Sequence, residues 1–308
     1  MKMQSQRKAY GETLVQLGRE NKNIVVLDAD LSKSTMTCFF EQEFPDRYFE
    51  MGIAEANMIS FAAGLSLTGK IAFVNSFAVF STGRPFDQIR QGVAIGKLNV
   101  KICGSSAGLS DFGDGATHQS VEDIAIMRAI PNMTVISPCD AIETKKAVRF
   151  AAEYDGPVYI RVSRNDLPDI FPDDMEFTLG KPVVLREGND ITVFATGTMV
   201  YEALVAAEKL SSLGISARVV NVSTLKPVDD ESIIKLAEGM KGIITAEEHS
   251  IIGGLASVVT YALRGKGIPV ESIAINDEFG QSAGSHDELL AHYGLKADNI
   301  VEKAKALC

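Results

Sequence analysis

A chain of 308 residues with 46% hydrophobic and 23% charged side chains has the composition of a folded globular protein long enough for two domains. Its formal net charge of −10 excludes broad electrostatic attraction to nucleic acid or to an anionic membrane, so a phosphorylated ligand has to be held by a few local cations. No uninterrupted apolar run reaches transmembrane length, and residues 1–21 enter an amphipathic helical pattern without an apolar h-region. Neither a membrane span nor a signal peptide is expected. Cys38, Cys103, Cys139 and Cys308 are scattered without a CxxC pair, which fits a reducing cytoplasm better than a disulfide framework or a zinc site.

In chain order, Ile24–Leu27 reads as the first clear strand, with Asp28-Ala29-Asp30-Leu31 at its carboxyl end. The stretch Met51–Arg90 follows. There Glu55 opens a long run of small and apolar residues, predicted as a helix over 53–68, with no obvious neutralising partner nearby. The run stops at Gly69; Ile71–Val74 then reads as a short buried strand leading into an aromatic-bearing turn, Asn75–Phe80, which carries Phe77 and Phe80.

Two explanations fit a carboxyl near two phenyl rings. Glutamate in a first helical turn is favoured by the helix dipole, and Phe in apolar strands is ordinarily core. Alternatively, a carboxyl desolvated in apolar surroundings serves as proton donor or hydrogen-bond partner to a flat heterocycle clamped by aromatic faces.

Further strands are predicted at 99–103, 134–137 and 158–162, with helices at 85–97, 120–130 and 140–154. Strand–helix alternation of this kind implies a mostly parallel sheet with helices on both faces, where ligands gather at the carboxyl ends of strands. Asp30, Phe77, the loop after Cys103 and Arg164 all follow predicted strands and are expected on one edge.

The loop Ser105–Gln119, SSAGLSDFGDGATHQ, is polar, glycine-rich and long, and it carries His118, one of only four histidines. It is either an ordinary flexible connection or a functional loop in which His118 hydrogen-bonds and shuttles protons with a polar substrate. Leu167–Asp174 breaks the alternation with two prolines and opens a linker. The expected organisation is a first domain over 1–172, a linker over 173–189 and a second, smaller α/β domain over 190–308. In that domain the predicted strands are 191–195, 217–222, 242–246 and 270–275, and the helices 198–212, 230–238, 253–264, 287–292 and 298–307. Glu247-Glu248-His249 has no second histidine at helical spacing and makes a poor metal motif; His286 and His292 are expected to be exposed helix residues.

Four segments, GIAEANMISFAAGLSLTG, NSFAVFSTGRPFDQIR, GDGATHQSVEDIAIMRAIPNMTVISPCDA and EEHSIIGGLAS, occur in the order found in the C-terminal half of transketolase. Across essentially its whole length the chain resembles the small subunit of split transketolases. The resemblance implies a pyrimidine-binding domain for thiamine diphosphate followed by a transketolase C-terminal domain with a structural and subunit-contact role. Glu55 matches the glutamate that shares a proton with N1′ of the aminopyrimidine, favouring the imino form at N4′ that deprotonates the thiazolium C2. Phe77 and Phe80 match aromatic residues packed on the pyrimidine, and Asp30 an aspartate beside the cofactor. His118 and Asp114 match a pair contacting substrate hydroxyls near C1 and C2. Arg7, Ser34 and Arg164 match positions binding a sugar phosphate, where arginine offers paired donors.

The chain departs from the pattern in three places. Gly104-Ser105-Ser106 lacks an expected histidine that helps hold phosphate, the loop reads LSDFGDG, and Gly83 stands where full-length relatives carry a third aromatic. Gly113-Asp114-Gly115 imitates a diphosphate-metal motif, but Asn132 follows too soon and the triplet sits in the substrate loop, so no metal ligand is assigned. The resemblance therefore implies a separate large N-terminal-type subunit that supplies the diphosphate site and Mg²⁺, self-association of the small subunits in a heterotetramer, and transfer of a two-carbon glycolaldehyde unit between sugars in the cytoplasm. The alternatives are the beta subunit of a 2-oxo acid dehydrogenase decarboxylase component and a catalytically silent scaffold subunit of the same fold.

Overall fold

In the first half the β-branched runs are buried on both faces, the pattern of parallel sheet covered by helices on either side. The computed structural model describes residues 2–308. Its strands in this half are β1 (Met3–Ser5), β2 (Ile24–Asp28), β3 (Tyr48–Glu50), β4 (Ile71–Phe77), β5 (Val100–Ser105), β6 (Thr134–Ile136), β7 (Val158–Arg161) and β8 (Asp166–Pro168). The rest supplies β9 (Val183–Arg186), β10 (Ile191–Ala195), β11 (Ala217–Asn221), β12 (Thr224–Lys226), β13 (Gly242–Ser250) and β14 (Val270–Ile275).

Seven strands form one sheet in the order β12-β6-β7-β5-β4-β2-β3, and five form another in the order β14-β13-β10-β11-β9. Within these two sheets all neighbours are parallel except the edge strands β12 and β9, and β1 and β8 pair antiparallel as a separate two-stranded sheet. Helices flank the strands, giving the expected α/β class with two mostly parallel sheets. β9 falls within the segment expected to be linker, and β12 reaches back from the second half to extend the first sheet. One hydrophobic cluster runs from Val74 and Met127 into Val220 and Leu255, so the two halves share a core.

Register positions the site. Asp28 pairs with Asn75, Asn75 with Cys103 and Cys103 with Ile160, so β2, β4, β5 and β7 run level across the middle of the sheet. The segments leaving them, which carry Asp30, Phe77, the 105–119 loop and Arg164, emerge on one edge. The helix Glu55–Leu67 follows β3, which is parallel to β2, so its first turn starts on that same edge.

Three expected boundaries move. β4 continues to Phe77 because Asn75 satisfies itself inside the sheet: its side chain donates to the Leu27 and Phe73 carbonyls and accepts from the Tyr10 hydroxyl. β13 continues to Ser250, absorbing Glu247-Glu248-His249. The helix expected over 120–130 begins only at Asp123, because the Val121 carbonyl accepts from the Ser250 N–H instead.

Candidate active site

Glu55 lies in the first turn of its helix with its side chain 4% exposed. Its partner is one the sequence did not reveal: Arg84 Nη1 is 2.6 Å from Glu55 Oε1. The Arg84 guanidinium also lies 4.1 Å from the Phe80 ring centroid. Phe77 and Phe80 are stacked, 6.0 Å apart at 17°. His118 presents its ring edge-on to both, 5.2 Å from Phe80 and 6.2 Å from Phe77. Glu55, Arg84, Phe80, Phe77 and His118 thus form one continuous patch of contacts.

A cationic cluster adjoins it. Arg164 sits 5.8 Å from the Phe77 centroid, and its Nη1 pairs at 3.1 Å with Asp111 Oδ2. Arg7 donates from Nε to the Arg164 carbonyl and from Nη1 to the Ser34 carbonyl, drawing Arg7, Ser34 and Arg164 together. Burial and the neighbouring Arg164 charge push the Arg7 pKa down. Asp111 is pushed above the usual carboxylate range, first by burial and then by the charge of Asp114, with Arg164 acting against both. Asp114 is therefore within electrostatic reach of Asp111, and its own side chain is exposed.

Asp30 stands apart from these contacts. It is exposed at a backbone φ of +61°, and its N–H donates to Glu50 Oε1. Beneath it Asp28 is fully buried and accepts from the Leu31 N–H and from the Thr35 and Thr37 hydroxyls; burial raises its pKa to about 6.

Two kinds of functional residue escaped the sequence. Arg84 and Asp111 are charges close in sequence to candidates, and only their placement makes them partners. The others meet partners distant in sequence. Arg161 Nε bonds Asp123 Oδ2 at 2.8 Å with both side chains buried, Tyr159 donates to the same oxygen, and Arg161 Nη2 donates across the domain boundary to the Glu248 carbonyl. His286, expected to be exposed, is largely buried with Nε2 2.9 Å from Glu248 Oε1; His292 is exposed as expected. Among the described residues no group of three or more His, Cys, Asp or Glu is placed to hold a metal ion, and no helix is long and apolar enough to cross a membrane.

The helix that carries Glu55 leaves a face uncovered. Ile53 (73%), Phe61 (41%) and Leu67 (75%) are exposed together with Asn57, Ser60 and Gly64, which recur on one side of the helix.

Comparison with known proteins agrees with this architecture. The transketolase pyrimidine-binding domain family matches residues 2–169, and the transketolase C-terminal domain family matches residues 180–300. A transketolase C-terminal section from Methanocaldococcus jannaschii is 50% identical over 301 residues, covering 96% of this chain and 94% of its own. A 6-deoxy-6-sulfo-D-fructose transketolase subunit from a Clostridium species is 43% identical over 299 residues, covering 97% and 92%. A solved split-gene transketolase, described as an inactive beta4 tetramer, superposes with a TM-score of 0.89 at 47% identity and covers 98% and 97% of the two chains. Two family domains in sequence, together spanning nearly all of the chain, place it in the transketolase family.

Proposed function

We propose that this chain is the small subunit of a split, thiamine-diphosphate-dependent transketolase. It would transfer a two-carbon unit from a ketose to an aldose only when joined to a large subunit. The observation that carries this reading is the patch at the sheet edge, where a buried carboxylate, Glu55, adjoins two stacked phenyl rings and His118.

That patch fits one end of the cofactor. A flat aminopyrimidine needs an apolar ring face and an acid at its edge, and Phe77, Phe80 and Glu55 offer both. When bound, thiamine diphosphate supplies the nucleophilic carbon that carries the two-carbon unit. Glu55 would share a proton with N1′ and hold the ring in its reactive tautomer; Asp30 would line the neighbouring edge. His118 and Asp114 would hydrogen-bond the ketose hydroxyls near C1 and C2. Arg7, Arg164 and the Ser34 segment would take the terminal anion of the sugar. Because Asp111 already neutralises Arg164, a phosphate competes with a carboxylate there, which accords with the missing histidine at 104–106. The terminal group need not be phosphate: the Clostridium relative is a transketolase subunit for a sulfonated sugar.

The other half of the site is assigned to a partner. Gly113-Asp114-Gly115 lies in the substrate loop, so diphosphate and Mg²⁺ would be held by the large subunit against the uncovered face of the 55–67 helix. Self-association of small subunits fits the beta4 assembly of the solved relative. Domain limits of 1–172 and 190–308, a cytoplasmic setting and the lack of a nucleic-acid or membrane partner belong to the same proposal. The domain plan is shared with 2-oxo acid dehydrogenase beta subunits; the sugar-type His118 loop and the Arg7–Arg164 pair favour transketolase chemistry.

The test is co-expression with a large subunit bearing a diphosphate motif, followed by a ketose–aldose screen with thiamine diphosphate and Mg²⁺. Two-carbon transfer that disappears in Glu55→Gln supports the proposal. Full activity in Glu55→Gln removes Glu55 from the site, and pyruvate turnover with a lipoyl acceptor replaces the proposal with the dehydrogenase reading.

A further inference from the structure

The loop that carries Asp114 and His118 is not held by its own domain alone. Its first turn has Gly108 at φ +64°, where a Cβ would come within 2.6 Å of Glu248 Oε1, so the main chain lies directly against a carboxylate on β13 of the second sheet. The Leu109 N–H donates to that same Oε1 at 2.6 Å. Glu248 is itself fixed from three sides: Thr198 Oγ1 donates to Oε2 at 2.6 Å, His286 Nε2 lies 2.9 Å from Oε1, and the Glu248 carbonyl accepts from Arg161. Each of these groups is buried or nearly so, a setting in which a charge-assisted hydrogen bond is strong and an unmade one expensive.

A second strap crosses the far end of the loop. The Ala283 N–H donates to the Phe112 carbonyl, Gln119 Nε2 donates to the Gln281 carbonyl, and a Cβ on Gly115 (φ +73°) would meet Ser282 Oγ. The two contacts bracket the segment 109–119, and both come from the C-terminal domain. No catalytic contact explains them. The hydrogen-bond partners of Glu248 are Leu109, Arg161, Thr198 and His286, none of them a member of the Glu55–Phe80 patch, and its Glu-Glu-His run makes a poor metal motif.

We propose that the C-terminal domain is a positioning element of the substrate site, with Glu248 as its principal residue. Glu248, set by Thr198 and His286, locks the Leu109 end of the loop; the 281–283 strap locks the other end. Together they set where Asp114 and His118 stand over the phenyl rings. The brace itself rests only on geometry; its consequence for sugar binding rests on the proposed role of Asp114 and His118.

The experiment is hydrogen–deuterium exchange on the full chain, comparing wild type with Glu248→Ala, Glu248→Gln and His286→Ala, and with Glu247→Gln as control. Glu247 sits on the same strand but accepts from the Leu255 and Ala256 N–H groups, away from the loop. Glu248→Ala is expected to speed exchange of amides 109–119 by about tenfold or more, with amides of β10 and β13 unchanged. Glu248→Gln restores only part of the protection, because its amide oxygen still accepts from Leu109 but no longer carries the charge that His286 and Arg161 complement. His286→Ala leaves the strand intact and loosens the same peptides by about threefold. Unchanged 109–119 exchange in a folded Glu248→Ala, or in His286→Ala if Glu248→Ala does not fold, overturns the brace, as does equal loosening by Glu247→Gln. In the reconstituted enzyme the loosened variants should raise the KM for a ketose phosphate probe, D-fructose 6-phosphate, more than they lower kcat. A loosened loop with an unchanged KM leaves the brace standing and removes Asp114 and His118 from the sugar site.

Discussion

Arg84 makes the sharpest test of the pyrimidine site, because it occupies the two features that a bound ring would need. Its Nη1 is 2.6 Å from Glu55 Oε1, and its guanidinium covers the face of Phe80 at 4.1 Å. A ring stacked on Phe80 and hydrogen-bonded to Glu55 has to displace it. The contact is not a fully buried ion pair. Glu55 is 4% exposed but Arg84 is 47% exposed, so solvent screens the attraction and the two contacts together contribute about 1 kcal/mol rather than the ~2–3 kcal/mol of a desolvated charged hydrogen bond. Arg84→Ala should therefore lower the melting temperature of the isolated chain by about 2 °C. In the assembled enzyme the same substitution should tighten cofactor binding about fivefold, since there is no longer a pair to break. Calorimetric titration of thiamine diphosphate with Mg²⁺ into wild-type and variant complexes measures this directly. Weaker binding by Arg84→Ala would refute the reasoning, because Arg84 would then hold the ring rather than stand in its place.

Asp111→Asn releases Arg164 from its 3.1 Å partner, and should lower the KM for a phosphorylated ketose about fivefold while leaving kcat little changed; a raised KM would assign Asp111 to the sugar instead. Gly108→Ala forces a side chain into a left-handed turn against Glu248, and should destabilise the chain by about 1–3 kcal/mol in a urea melt. The brace should also depend on pH. Burial works to raise Glu248, but His286 and Arg161 outweigh it and hold the carboxyl below its ordinary 4.5; burial works to lower His286, but Glu248 and Asp287 outweigh it, against Lys296, and hold the imidazole above its ordinary 6.5. A depressed acid contributes above 4.5 and loses its contribution as pH falls, and a raised base contributes below 6.5 and loses it as pH rises. Protection of amides 109–119, measured at constant intrinsic exchange, should therefore be greatest between about pH 4.5 and 6.5.

The sequence made the sheet legible because buried parallel strands announce themselves as continuous β-branched runs. Ile24–Asp28, Val158–Arg161 and Ile191–Ala195 were bounded to within a residue or so for that reason. It failed where a strand carries polar residues satisfied by neighbours distant in sequence. Asn75 and Ser76 hide the end of β4, and Glu247-Glu248-His249 hide the end of β13. Edge strands of three or four residues, such as β9 and β12, are too short for any period to register. Within the site, Glu55, Phe77, Phe80 and His118 were legible as unusual residues in apolar or glycine-rich settings, and the structure brings them together. Arg84 was not, because an arginine six residues before another arginine in an otherwise ordinary segment reads as a solvated charge.

The misread histidine shows why the rest was invisible. His286 begins a short helix whose neighbours Asp287 and Glu288 are exposed, so local pattern places it in solvent. What buries it is Glu248, thirty-eight residues earlier, and what gives Glu248 its work is Leu109, a further 139 residues back. A carboxylate inside a strand costs several kcal/mol to bury unless its partners are in place, and here those partners come from three separate segments. Such a group has no signature in its own neighbourhood, because its surroundings exist only after the two sheets have packed. The same dependence runs in the other direction: the 109–119 loop, which alone looked equally like a flexible connection or a site, acquires a fixed shape only when the C-terminal domain closes behind it. Its front, where His118 meets the Phe77 and Phe80 rings, is the side on which the proposed cofactor and sugar would bind.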